Sequence, residues 1–460
     1  MISKPRRVVL TSFFGSTGDV AYLAGLGQGF QKAGYSVRML LPKLFLQETK
    51  PILDSMGLYD TECVAASAPT LDELLHLNLS AGLKEGLRVR REFKQRYRRF
   101  RSEIAATSIE LVRNRGFQFI VGDVSSRHLI VPAYAAGIPY FQASPMPYIP
   151  TRQFYLDSRF PCVDKLGVWN SFRWTWGGTP WQWASHLTEL INESIVDKRP
   201  SISMGLAGDD SLAKEYDSLF PKELRRSFGT LYRYKTNHMI SASPVVVKRP
   251  SDWGSNVQIL GYTPWDVSQM PIPAGLEDFL SAGKPPVYVG FGTYGFSRFG
   301  GKDAIQFFEE LVAAARAVGE RLIFCSAGTR VSNEHNSRDV FVVDRVFHGW
   351  LFPRCSVVVC HGGYGTIHSA LMARRPLIIY PYQTDQFFLA KRMEQLSVAL
   401  PYRVTLRRFS ARDFRRDLVQ ISADYPEMQK LVDQVREKIR REDGITTHIS
   451  RTESLLDSGG

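Results

Sequence analysis

The residues best placed to do chemistry lie in one run, His361–Gln386: HGGYGTIHSALMARRPLIIYPYQTDQ. Gly362, Gly363 and Gly365 let the backbone approach a ligand closely and take angles that other residues resist. The helical pattern that follows, from about Thr366, would open with unpaired amides backed by the helix dipole, which suits a phosphate. Asp385 and Gln386 come after the next apolar run, at the same sheet edge, and offer acceptors and donors for sugar hydroxyls. A phosphate cradle beside a hydroxyl reader points to a nucleotide-sugar site.

The chain has no Asp-x-Asp pair to hold a metal on a diphosphate, and no P-loop, HExxH or GxSxG. A site of this kind must stabilise a leaving diphosphate with amides and side-chain donors. His361, Thr366, the amides around Gly363–Gly365, and Thr293 in the turn GFGTYG are the candidates. An acceptor hydroxyl also needs a base. Asp19, in the turn GSTGD after the first apolar run, reads equally well as that base or as a helix N-cap. Asp123 and His128 are weaker candidates, each read first as structural. Of the three glycine turns only GFGTYG, with Gly290, Gly292 and Gly295, has the GxGxxG spacing of a dinucleotide site, a weak signal by itself.

These residues need strands to carry them. Arg7–Phe14, Ser36–Leu41, Ile120–Asp123 and Ile138–Ala143 read as strands of one half, with a helix over Val20–Ala33. Val287–Gly292, Arg321–Cys325, Val340–Val343, Ser356–Cys360 and Pro376–Tyr380 read as strands of a second half, with a helix over 303–317. The fold class expected is therefore α/β, with two doubly wound, Rossmann-like domains facing a cleft. The N-terminal domain spans 1–243. Proline and glycine punctuation over 244–286 reads as the linker. The second domain covers 287–427, and a charged helix from about Met428 to Leu456 crosses back to the first.

A length of 460 residues suits two domains. Five cysteines without paired spacing read as buried thiols in a reducing, cytoplasmic setting. The short apolar run after the basic opening reads as a strand and not as a signal peptide, and no run is long enough to span a membrane. The net charge of +13 favours anionic partners without choosing among them. Segment 88–101, RVRREFKQRYRRFR, reads first as an amphipathic helix with a solvated basic face. The second reading is a peripheral surface resting on acidic lipids. No nucleic-acid module accompanies it, so nucleic acid is not an expected partner. The aromatic stretch 145–185 reads either as irregular core or as the lining of a pocket for a flat apolar ligand.

HGGYGT with TDQ downstream, VGFGT and the opening GSTGDV resemble the nucleotide-sugar-dependent glycosyltransferases of family 1, which have the GT-B fold. The closer resemblance is to sterol 3β-glucosyltransferases and related bacterial natural-product enzymes. GSTGDVAY matches their GSRGDVQP, FHGWLF at 347–352 their PHDWLF, and IPYFQASPMPYIPTR at 138–152 their IPY…MPWTRT. The resemblance implies a metal-independent, inverting hexosyltransferase with no cofactor beyond its co-substrate, a nucleotide sugar expected to be UDP-glucose. The implied acceptor is a lipophilic alcohol such as a sterol, terpenoid or polyketide. It also implies Asp19 as the base, Ser16 and Thr17 near the donor, and Val346 meeting the nucleotide base through its backbone. His361, Tyr364, Gly365 and Thr366 are implied at the diphosphate, and Asp385 and Gln386 at the sugar. Thr17, Ala21–Tyr22 and Gly349 depart from the family pattern. Two other readings stay open: a nucleotide-sugar-binding protein without activity, and a GT-B nucleotide-sugar epimerase.

Overall fold

The computed structural model describes residues 6–12, 17–42, 49–50, 52–58, 60–64, 103–113, 116–123, 126, 129–147, 211, 214–215, 218, 236–264, 266–268, 270–292, 304–327, 329–382 and 384–458. Short apolar runs form two parallel sheets. The first has the order β3-β2-β1-β4-β5-β6-β7. Its strands are β1 Arg6–Thr11, β2 Tyr35–Pro42, β3 Thr61–Val64, β4 Phe119–Gly122, β5 Tyr140–Ser144, β6 Asn237–Ile240 and β7 Val257–Ile259. The second has the order β10-β9-β8-β11-β12, from β8 Val287–Gly290, β9 Leu322–Cys325, β10 Val340–Val343, β11 Val358–Cys360 and β12 Leu377–Ile379. Strands β4, β8, β10, β11 and β12 are buried at every residue. Layers cover both faces of such a sheet, which is why these strands read as continuous apolar runs.

Each sheet reverses its strand order beside its first strand. β1 lies between β2 and β4 in parallel register, with Thr11 opposite Gly122. β8 lies between β9 and β11, with Gly290 opposite Cys360. Parallel sheets carry ligands at these reversals, beyond the strands' carboxyl ends.

Two features differ from the sequence expectation. The stretch 244–286 is not all linker, because its Val257–Ile259 is the seventh strand of the first sheet, paired with β6. Three residues between turn signals are too short to show a period, and the segment's punctuation hid them. The C-terminal region is two helices and not one. The first, Ala411–Ile439, packs on the helices Ala304–Arg316 and Tyr364–Met372 of the second half, and its Asp417 accepts from the Tyr380 hydroxyl at 2.8 Å. The second, Gly444–Asp457, starts afresh with Asp443 accepting from the Thr446 amide at 3.0 Å, and packs on the first half's helix Thr17–Lys32.

The joint between the halves is tight. Gly261, with φ of +94°, lies against Gly444, where an added Cβ would sit 2.9 Å from the Gly444 Cα. A Cβ on Gly25 in the Thr17–Lys32 helix would come within 2.6 Å of the Thr263 and Pro264 carbonyls. His448, fully buried, meets the Ser241 hydroxyl at 3.1 Å, and the Tyr35 hydroxyl donates to Glu453 at 3.1 Å.

Candidate active site

The longer helices that flank the two sheets include α1 Thr17–Lys32, α2 Ala304–Arg316, α3 Tyr364–Met372, α4 Thr384–Gln395, α5 Ala411–Ile439 and α6 Gly444–Asp457. Strand β11 ends at Cys360, and the chain turns through His361, Gly362 and Gly363 into α3. Gly362 has φ of +94°, and a Cβ there would meet Ile379 at 3.0 Å and the Gln386 carbonyl at 3.3 Å. Glycine is therefore required both by the backbone angle and by the approach of α4. Gly292, at φ of +69° after β8, leaves room for the His361 ring, which would lie 2.9 Å from an added Cβ; Gly363 leaves room on another side at 2.7 Å. The His361 ring also stacks on Tyr382 at 5.8 Å.

The N-terminus of α3 has no side-chain cap; its N-cap is Gly363. The first intrahelical bond from this turn is the Ile367 amide to the Gly363 carbonyl, 3.0 Å. That leaves the amides of Tyr364, Gly365 and Thr366 without an intrahelical acceptor, the arrangement that binds anions. Burial pushes the His361 imidazole down to about 4, with the Gly290 backbone offsetting part of the effect, and its Nδ1 is buried without a hydrogen bond of normal geometry. At neutral pH the ring is uncharged, with one donor and one acceptor.

Asp385 and Gln386 open α4 beside this turn, because β12 pairs with β11. Gln386 is buried, and its Oε1 accepts from the Tyr382 amide at 2.9 Å, so it fixes the turn before α4. Burial raises the Asp385 carboxyl, with its own and the Gln386 amides pulling the other way. Thr366 is half-buried in the first turn of α3. Tyr364 is placed differently from its neighbours: its ring enters the core and its hydroxyl accepts from the Ser243 amide. Only its amide belongs to the open turn.

Val346 lies between β10 and the short helix His348–Leu351, half-buried against the second core. Trp350 packs on the same core with the Arg354 guanidinium 4.3 Å above its ring, consistent with a packing role. Gly349 has a local reason: an added Cβ would meet the Phe347 ring at 2.5 Å, and that ring packs against the core of the first half.

In the first half, Asp19 is the third residue of α1. It lies within the first helical turn, a position that suits both a base and a local acceptor for the helix's opening amides. Of Thr17 and Asp19 only the helical backbone is described; Ser16, Thr293, His128, the basic segment 88–101 and residues 148–185 lie outside the described residues. Asp123, weighed as a weaker base, is buried at the end of β4. It accepts from the Ser12 hydroxyl at 2.6 Å and from the Ser126 hydroxyl and amide at 3.0 and 3.1 Å. These hydroxyls and this carboxylate satisfy one another. Sequence reading passed over Ser12 and Ser126, which carry no spacing signal. Helices α1 and α3 approach within 8 Å, Cα to Cα, so the helix that carries Asp19 packs against the helix that follows the glycine turn. Among the described residues no group of three His, Cys, Asp or Glu side chains could hold a metal.

The architecture has close parallels among solved structures. The glycosyltransferase VinC in complex with dTDP superposes with a TM-score of 0.63 at 15% identity, covering 98% of this chain and all of that one. SnogD from Streptomyces nogalater gives 0.61 at 16% identity, over 99% of this chain and all of that one. The chain has the GT-B fold. No family model matches it. In sequence, this GT-B chain is 27% identical to a sterol 3-beta-glucosyltransferase of Saccharomyces cerevisiae (strain YJM789), over 96% of this chain and 34% of that protein. It is 31% identical to the Arabidopsis thaliana sterol 3-beta-glucosyltransferase UGT80A2, over 44% of this chain and 31% of that protein. The chain thus spans about a third of the length of these curated relatives.

Proposed function

We propose that the protein is an inverting glycosyltransferase that moves a sugar, expected to be glucose from UDP-glucose, to the hydroxyl of a lipophilic acceptor such as a sterol. One observation supports this reading: α3, whose N-terminus is uncapped, packs against α1, whose first turn holds Asp19. The named activity of the curated relatives supports the sugar and acceptor, and the dTDP complex of VinC supports a nucleoside diphosphate.

In this reading the second half takes the donor and the first half the acceptor. The Asp19 carboxylate removes the acceptor's hydroxyl proton as that oxygen bonds to the anomeric carbon. The bond from that carbon to the diphosphate breaks on the opposite face. The departing charge falls on the Gly365 and Thr366 amides, the Tyr364 amide and neutral His361, with Ser16, Thr17 and Thr293 assigned to the same donor. Val346 meets the nucleotide base, and Asp385 with Gln386 reads the sugar hydroxyls. The basic segment 88–101 would rest on the membrane that supplies the acceptor; co-sedimentation with anionic vesicles, lost on neutralising its arginines, tests that contact.

Incubation with UDP-glucose and ergosterol or a terpenoid alcohol, read by mass spectrometry, tests the activity. A sterol glucoside of inverted configuration is expected. Donor binding without product would favour a non-catalytic binder, and a changed donor without acceptor would favour an epimerase.

A further inference from the structure

The loop after β6, residues 243–246, belongs to the first half yet is held by both helices that open at the donor edge. From α4, the Arg392 guanidinium donates to the Val246 and Val245 carbonyls at 2.8 and 3.2 Å. From α3, the Tyr364 hydroxyl accepts the Ser243 amide hydrogen. Tyr364 is the first residue of α3, so its backbone lies in the open turn and its ring lies in the joint.

The surroundings fix that ring. Tyr262, on the joint, lies 5.3 Å from it between ring centroids and 3.8 Å from the His368 ring one turn further along α3. A Cβ on Gly365 would meet the Tyr262 hydroxyl at 3.3 Å. Tyr262 is flanked in sequence by Gly261 and Thr263. The first abuts α6 and the second donates to the Tyr22 carbonyl of α1 at 3.0 Å. A rigid path of packed rings and backbone thus connects the start of α3 to α1.

We propose that Tyr364 is a positioning residue, which ties the anion-binding turn of α3 to the joint and so sets that turn against the acceptor half. The ligand part of this proposal rests on the functional reading above; the mechanical part does not. A tyrosine serving only as core filler would need no donor at Ser243, and phenylalanine would serve equally well there.

The test compares Tyr364→Phe with Ser243→Ala. The second removes the Ser243 hydroxyl, which donates to Glu442 at 2.7 Å and accepts from the Val245 amide, but keeps the Ser243 amide for Tyr364. Hydrogen exchange of ligand-free protein and calorimetric titration with UDP are measured on both and on the wild type. Tyr364→Phe is expected to speed exchange of amides 361–366 about tenfold and weaken UDP binding by about the same factor, the size of one lost hydrogen bond. Ser243→Ala is expected to leave both within about twofold. Unchanged exchange in Tyr364→Phe, or an equal effect of Ser243→Ala on the turn, overturns the proposal. If the wild type binds neither UDP nor dTDP, the functional reading falls instead, and the exchange comparison alone decides the role of Tyr364.

Discussion

The two strand-order reversals are built on the same plan and filled in opposite ways. Beside β1, the ends of two strands bring together Ser12, Asp123 and Ser126, whose side chains bond one another. Beside β8, the equivalent positions hold Gly292, His361 and Gly362, and the helix that follows has no cap. At the first, a buried carboxylate accepts from two hydroxyls and an amide; at the second, the opening amides of α3 have no side-chain cap. Uncapped helix amides at such a reversal suit an anionic ligand.

The sharpest way to break this division is Asp19→Asn. If the first half supplies the base and the second half the leaving-group site, the substitution lowers kcat about a thousandfold and leaves UDP affinity within about twofold. Retained turnover in a coupled assay would take the base away from α1 and give it back to the alternatives.

How far the site was legible follows from the same contrast. Phosphate recognition by backbone needs glycine at a positive φ and at close approaches, and glycine shows in a sequence; hence the turn at 361–365 could be read in place. The buried parallel strands were legible for a related reason, since burial on both faces makes them continuous apolar runs. The Ser12–Asp123–Ser126 cluster was not, because its members are 111 and 3 residues apart and meet only through β1–β4 pairing. Nor could spacing show that Tyr364 turns its ring into the joint, since its acceptor role depends on Ser243, 121 residues away. The break between α5 and α6 was hidden by charged residues that continue the helical pattern past it.

Substituting one residue at each reversal tests the division directly. Asp123→Ala leaves two hydroxyls and an amide without their buried acceptor and is expected to cost about 3 kcal/mol of stability. Donor affinity should stay within about twofold. Gly362→Ala forces a side chain to a positive φ against Ile379 and Gln386, at about 1–3 kcal/mol. There the loss should fall on UDP binding, by tenfold or more. Denaturant melts and calorimetry on both variants would show either the crossed pattern or two equal losses, and equal losses would mean the reversals do not differ in role.

Acid should weaken the second half and the joint. Burial lowers His348, His361 and His448 to about 4, below the ordinary 6.5. The unfolded chain therefore takes up these protons first as pH falls, and stability is lost between about 6.5 and 4. From pH 6.5 to 5 a histidine as buried as His448 accounts for about 2 kcal/mol. Glu442 and Asp385, raised by burial, work in the opposite direction toward the acid end. Thermal melts across that range should show a falling Tm, less steep in His448→Gln; a flat profile in the wild type would contradict the buried neutral histidines.

The smallest expected effect concerns a carboxylate at the second reversal. Asp385 accepts from its own amide and that of Gln386, as a first-turn acid does, which is the role of a local cap. Yet it stands beside the turn that brings Gln386 against Gly362, where a sugar next to a bound diphosphate would lie. The two roles separate in Asp385→Asn. An acid reading sugar hydroxyls loses about tenfold in KM for UDP-glucose while UDP itself binds within about twofold of wild type. A local cap changes both ligands alike or neither, because it acts only through the shape of the turn.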